Sequence, residues 1–181
     1  MAPDRTLPRG SRPFFALLRG GSAALFLSLA ALRCAAAGTA LRVAAVGQVL
    51  ALTLDDLARL PHADLMVVDP HDTVEHHYSG IPVRDLLAKV GAPLGEKLRG
   101  AALRLAGVVR ARDGYATLFA LAEFDDQFSD RTLLLADSED GKPLSTTSGP
   151  LRIIAPGDKR AARWARMVTS IEVVTLPPMT P

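Results

Sequence analysis

From Leu41 onward, apolar residues come in short bursts separated by glycine, proline or polar clusters, the rhythm of strands more than of long helices. Leu41 to Val46 is apolar at its odd positions and ends at Gly47, which predicts an opening strand. Thr53 stands three residues before Asp56, the spacing of a capping box, and starts a short helix over Leu54 to Leu60 that Pro61 stops. Ala63 to Asp69 reads as the next strand. After a polar loop, Tyr78-Ser79-Gly80-Ile81-Pro82 leads into the clearest helix, with Pro82 at its first position. In it Val83, Leu86, Leu87 and Val90 recur at helical spacing, before Gly91 and Pro93 close the segment.

The second half predicts strands over Leu103 to Arg112 and Ala116 to Leu121, joined through Asp113-Gly114-Tyr115. Arg131 to Ala136 follows, turned by Glu139-Asp140-Gly141-Lys142 into Pro143-Leu144. Leu151 to Ala155 and Val168 to Thr175 finish the pattern. Many strands, two or three short helices and no repeat or linker predict a mainly β, α+β single domain.

Residues 1–37 have a different character. Arg5, Arg9, Arg12 and Arg19 lead into an uncharged run from Gly20 to Leu32, and Ala35-Ala36-Ala37 supplies small residues before Gly38, the order of a secretory signal peptide. A retained anchor is disfavoured because the run is shorter than the ~20 apolar residues of a spanning helix. Arg33 disfavours acylation of Cys34, and Ser11-Arg12-Pro13 lacks the paired arginines of a twin-arginine signal. The expected organisation is a signal over 1–37, a domain over 38–176 and a proline-rich tail over 177–181, with a periplasmic or secreted destination.

That division changes the charge. The precursor has 21 basic and 19 acidic residues, of which the first 37 hold five and one, so 16 against 18 remain, a formal net charge of −2. Such a balance argues against nucleic acid as a partner. Cys34 is the only cysteine, so no disulfide framework is expected within the domain.

Three groups of residues carry candidate chemistry. His71, His76 and His77 lie near Asp69, Asp72 and Glu75, but neighbouring histidines on a strand point to opposite faces, and the spacing fits no established zinc pattern; a solvated loop is the alternative. Lys159, Arg163 and Arg166 would share a face if their segment were helical and could then hold a phosphate, or could simply be solvated. Trp164 reads as a core anchor, and Tyr115, after a turn glycine, as the better ligand-facing aromatic. No glycine-flanked serine elbow is present; Ser79 reads as part of the turn before a helix.

Three segments together resemble a known family. Leu133 to Val174, with Gly141-Lys142-Pro143-Leu144, Gly149-Pro150-Leu151-Arg152, Pro156-Gly157 and Arg163-Trp164, follows the order "LLA....NG.PL....G.PLR...PG....KW" of sulfite-oxidase-type molybdopterin domains. Gly80 to Leu87 resembles the family's "GvpLrdLL", and Asp113-Gly114-Tyr115 the "DGY" of its small stand-alone members. The resemblance implies that family's fold, an oxidoreductase function and a molybdopterin cofactor. It implies a cofactor site with Asp113, Gly114 and Tyr115 at its mouth and Arg152, Lys159 and Arg163 near the pterin's anionic end.

The resemblance also brings two departures. The enzymes bind molybdenum through a cysteine that ends the strand before the "GvpLrdLL" helix, where this chain has Asp69, with His71 close by. Asp69 would be a harder metal ligand than a thiolate, or else an aspartate capping the loop before Pro70. Ser148 stands where larger members have histidine. Arg152 matches the family's arginine and is either an anion clamp or the partner of Asp113 or another acid. The expectation is therefore twofold: a redox domain serving a membrane redox or sensor partner, or a cofactor-free module binding a small ligand or partner in the cell envelope.

Overall fold

A computed structural model describes residues 38–177; the signal expected over 1–37, with Cys34, and residues 178–181 of the tail lie outside them. Two sheets enclose one core. The first holds β1 (Leu41–Ala45), β2 (Gln48–Leu52), β5 (Leu105–Ala111), β6 (Ala116–Ala120) and β10 (Val168–Thr175) in the order β2-β1-β10-β5-β6. Its β1 and β10 run parallel and its other pairs antiparallel. The second runs β3 (Ala63–Val68), β4 (Glu75–Pro82), β7 (Leu134–Glu139) and β8 (Lys142–Pro143), with β9 (Arg152–Ile154) also paired to β7. The helices α1 (Leu54–Ala58) and α2 (Val83–Lys89) are short. The fold is thus mainly β with a minor helical part, as the hydrophobic pattern predicts.

The expected capping box is present: Asp56 donates its amide to Thr53 Oγ1 at 3.1 Å, while Asp56 Oδ2 accepts from the Thr53 amide at 3.0 Å. Pro82 closes β4 and sits one position before α2, not within its first turn. Val83, Leu86 and Leu87 then face a core shared by Leu41, Val43, Val109 and Ile171 of the first sheet and Ile81, Leu134, Leu135 and Ile153 of the second. Burying large aliphatic side chains contributes roughly 1.5–3 kcal/mol each, so this shared interior is the main force holding the sheets together.

Two strands depart from the sequence reading. β2 pairs with β1 through a turn in which Val46 (φ 49°) and Gly47 (φ 77°) are both left-handed, the geometry of a two-residue hairpin. Valine rarely adopts it, so Val46-Gly47 looked like a strand end. β4 begins at Glu75 within the expected polar loop and takes in Ser79, because its outer half is polar on both faces while Tyr78, Gly80 and Ile81 are buried. Lys159 to Arg166 holds only a single 3-10 turn, Ala161–Arg163, in place of the helical face that would have gathered its cations.

Gly80 lies at the register shift in the antiparallel β4–β7 pairing, and a Cβ there would overlap the Leu135 carbonyl and the Ala136 backbone. Neither can withdraw, being part of the ladder. Gly80→Ala should destabilise the domain by about 1–3 kcal/mol, read as a lower urea midpoint, whereas alanine at the open turn Gly141 should cost less.

Candidate functional site

β3 ends at Val68, and the chain then buries Asp69 to 3% exposure. Arg152, the first residue of β9, is equally buried and reaches it, Nη2 to Asp69 Oδ2 at 2.7 Å. The second sheet makes this meeting possible by placing β4 and β7 between the two ends. Tyr78 of β4 is fully buried beside them; its hydroxyl lies 3.0 Å from Asp69 Oδ2 and 2.7 Å from Glu139 Oε1, and accepts from Arg152 Nη1 at 3.2 Å. The guanidinium lies 5.7 Å from the Tyr78 ring centroid and 5.4 Å from that of Trp164, within cation–π range of both. Arg152 Nε, also buried, has no hydrogen-bond partner.

The charges explain each other. Burial pushes the Asp69 carboxyl up, but the His71 amide at 2.8 Å, the Arg152 guanidinium and the Tyr78 hydroxyl outweigh it and hold Asp69 below the ordinary carboxylate range. Burial, with the nearby Glu139 carboxylate, raises Tyr78 well above a normal phenol. Beyond it, His76 bridges Asp140 (Nδ1, 2.8 Å) and Asp72 (Nε2, 3.0 Å), which raise its pKa to about 9. His77 points to the other face of β4, toward Asp64 at 3.4 Å. Among the described residues no three histidine, cysteine or acidic side chains are grouped to hold a metal ion.

Next to this centre opens a cleft of about 280 Å³ whose lining includes His71, Asp113, Tyr115, Trp164 and Arg166. Gly114 (φ 88°) turns the β5–β6 connection, and Asp113 Oδ1 accepts from the Tyr115 amide at 2.9 Å, presenting Asp113 and Tyr115 at the rim. Trp164 is buried and donates to the Ala155 carbonyl at 3.0 Å, so it forms the cleft's inner wall. Arg166 makes no salt bridge among the described residues. A larger, more apolar cavity of about 510 Å³ lies between α1 and the β7–β8 hairpin; it is lined by the Gly141–Leu144 and Pro150-Leu151 motif residues but by none of the candidate cofactor or metal residues.

The basic run is divided. Arg163 is held by Asp158 (Nη2 to Oδ1, 2.6 Å) and Glu123 (Nη1 to Oε2, 3.0 Å), lies 4.6 Å over the Phe119 ring, and is raised in pKa chiefly by the bond to Asp158. Arg131 engages the same two acids. Lys159 lies elsewhere, in a groove beside β3. The residues brought together are therefore Asp69 with Arg152, and His71 with Asp113 and Tyr115, while Lys159 and Arg163 lie apart from both groups. Tyr78 and Glu139 were not foreseen: nothing local in a strand pattern tells which hydroxyl or acid will meet a distant arginine.

The fit of a metal at Asp69 can be judged on these contacts. A metal cation needs an electron pair aimed into open space, and both Asp69 oxygens are engaged, one of them by a guanidinium at 2.7 Å that would repel a cation. The residues present do not fit a molybdenum centre anchored at Asp69.

Removing one partner of a buried pair strands the other. Asp69→Ala should cost about 3–5 kcal/mol of unfolding free energy, and Asp69→Leu combined with Arg152→Met much less than the sum of the single changes, as a double-mutant denaturation cycle would measure. His76 gives a pH signature. Because its folded pKa lies above the 6.5 of a free imidazole, its stabilisation is complete below pH 6.5 and is lost as pH rises through about 9. The thermal midpoint should fall across that window, and more shallowly in His76→Gln.

No curated protein matches the sequence. The fold is similar to that of the sulfane dehydrogenase SoxCD from Paracoccus pantotrophus, with a TM-score of 0.56 and 18% identity over 74% of this chain. The match covers 37% of that chain, so the present one spans little more than a third of it, and at this identity the likeness concerns fold. The family model of the oxidoreductase molybdopterin binding domain matches residues 32–180, and the chain belongs to that family.

Proposed function

We propose that this domain is an exported binding module of the cell envelope, built on the molybdopterin-domain scaffold but not working through a metal anchored at Asp69. The observation that carries this reading is the buried Asp69–Arg152 pair: the carboxylate standing where the family's cysteine is expected is already bonded to Arg152, Tyr78 and the His71 amide. The open cleft beside it supplies the recognition. Exposed Tyr115 and the Trp164 wall offer flat apolar contact, and Arg166 and His71 offer donors, a combination suited to a small planar anion. In this reading a membrane redox or sensor partner responds to the liganded domain.

Family membership favours a second reading, an oxidoreductase with bound molybdopterin. Elemental analysis and absorption spectra of protein purified from its native host separate the two. A folded, colourless protein without molybdenum is expected; stoichiometric molybdenum with a pterin band would overturn the binding-module reading. Trp164 is the only tryptophan, so its emission reports on the cleft. Benzoate, a simple planar anion, should shift that emission, and Arg166→Ala should weaken the response by roughly tenfold or more, the loss of one charge-assisted hydrogen bond. Emission indifferent to benzoate would count against the cleft as the site.

A further inference from the structure

β3 lies at the outer edge of the second sheet, and its free side can be read residue by residue. Met66 faces His77 across the β3–β4 ladder. Both main-chain groups of His77 are turned the other way: its amide donates to Asp140 Oδ1 at 2.9 Å and its carbonyl accepts from the Asp140 amide at 2.7 Å. The Met66–His77 pair is thus a non-hydrogen-bonded one, and the amide and carbonyl of Met66 point out of the sheet edge. By alternation those of Asp64 and Val68 do as well, and none of them has another main-chain partner among the described residues. The side chains of these residues share the outer face, where Met66 is 60% and Val68 52% exposed.

Edge strands are usually blunted by lysine, proline or a bulge. β3 has none of these, and at six residues it is longer than the other outermost strands, β2 and β6 with five each and β8 with two. Alongside it runs an open groove whose lining includes Met66, Val68, Glu75, Asp158 and Lys159.

We infer that two copies of this chain pair through β3, antiparallel about a two-fold axis at Met66. That register sets Met66 against Met66 of the second copy and Asp64 against Val68 in both directions, so all three outward-facing residues exchange both bonds, roughly six in all; shifting the centre to Leu65 or Val67 would leave about four. Charge is compatible with the same register. Asp64 is brought to the end of the groove that holds Lys159, which makes no salt bridge among the described residues; of the groove's two acids, Glu75 lies on the far side of Val68 and Asp158 is already neutralised by Arg131 and Arg163. The two-fold repeats the contact at the other end, as a self-complementary interface requires.

Sedimentation equilibrium of the purified protein between about 1 and 100 μM tests this. A monomer–dimer equilibrium is expected. Met66→Lys should abolish it and Asp64→Lys weaken it, while Asp64→Lys combined with Lys159→Asp should restore it, all with unchanged circular dichroism because these side chains are exposed. Hydrogen exchange at the Asp64, Met66 and Val68 amides should slow as protein concentration rises. A wild-type monomer across the range, a dimer indifferent to these substitutions, or a monomer whose β3 is captured by another protein's strand would each overturn the pairing of copies.

Discussion

The ion pair between Asp69 and Arg152 is the constraint around which the second sheet is organised. Each partner is nearly removed from solvent, and an isolated buried charge of either sign would cost several kcal/mol. The pair therefore needs partners on most sides, and has them: the His71 amide and Tyr78 hydroxyl complete the carboxylate, and the Tyr78 and Trp164 rings flank the guanidinium, leaving only Arg152 Nε without a hydrogen bond. Because Asp69 follows β3 and Arg152 opens β9, satisfying it ties the outer strand of the sheet to its far side across β4 and β7.

A second set of charges has a different task. Glu123 and Asp158 are each shared by Arg131 and Arg163, and the Arg163 guanidinium lies over the Phe119 ring. These are partly exposed groups, so their worth is in fixing loops more than in bulk stability. They pin the segment after β9 against the 3-10 turn that follows β6. The same bonds explain why a run of cations in the sequence does not become one basic face: its members are parcelled out to a salt-bridge network, a sheet edge and a cleft.

The combination separates scaffold from chemistry. The fold is that of the oxidoreductase molybdopterin binding domain family, and the cleft rimmed by Asp113 and Tyr115 lies beside the centre built on Asp69. Within that centre both oxygens of Asp69 are engaged, Oδ2 by the Arg152 guanidinium and the Tyr78 phenol and Oδ1 by the His71 amide, and the guanidinium opposes a cation there. An open cleft beside an internally neutralised ion pair is suited to holding something reversibly, and this is the physical content of the binding-module proposal.

Local chemistry made much of this chain legible. The Thr53–Asp56 cap, the 3.6-residue spacing from Val83 to Val90, the Asp140-Gly141 turn and the last strand, Val168 to Thr175, all depend on neighbours within a few residues, and all stand where the sequence places them, as does the family assignment that rests on short motifs. β2 is hidden because Val46-Gly47 reads as a strand end and valine rarely forms a hairpin turn, and the start of β4 because polar residues on both faces leave no period to detect. Arg152 was recognisable as a residue of interest, but that its partner is Asp69, 83 positions away, and that Tyr78 completes the pair, was decided by sheet order alone. A sequence specifies which groups exist and which local turns are affordable; which distant charges share a desolvated space follows only once the strands are paired, since the Coulomb term depends on a separation that chain spacing does not set.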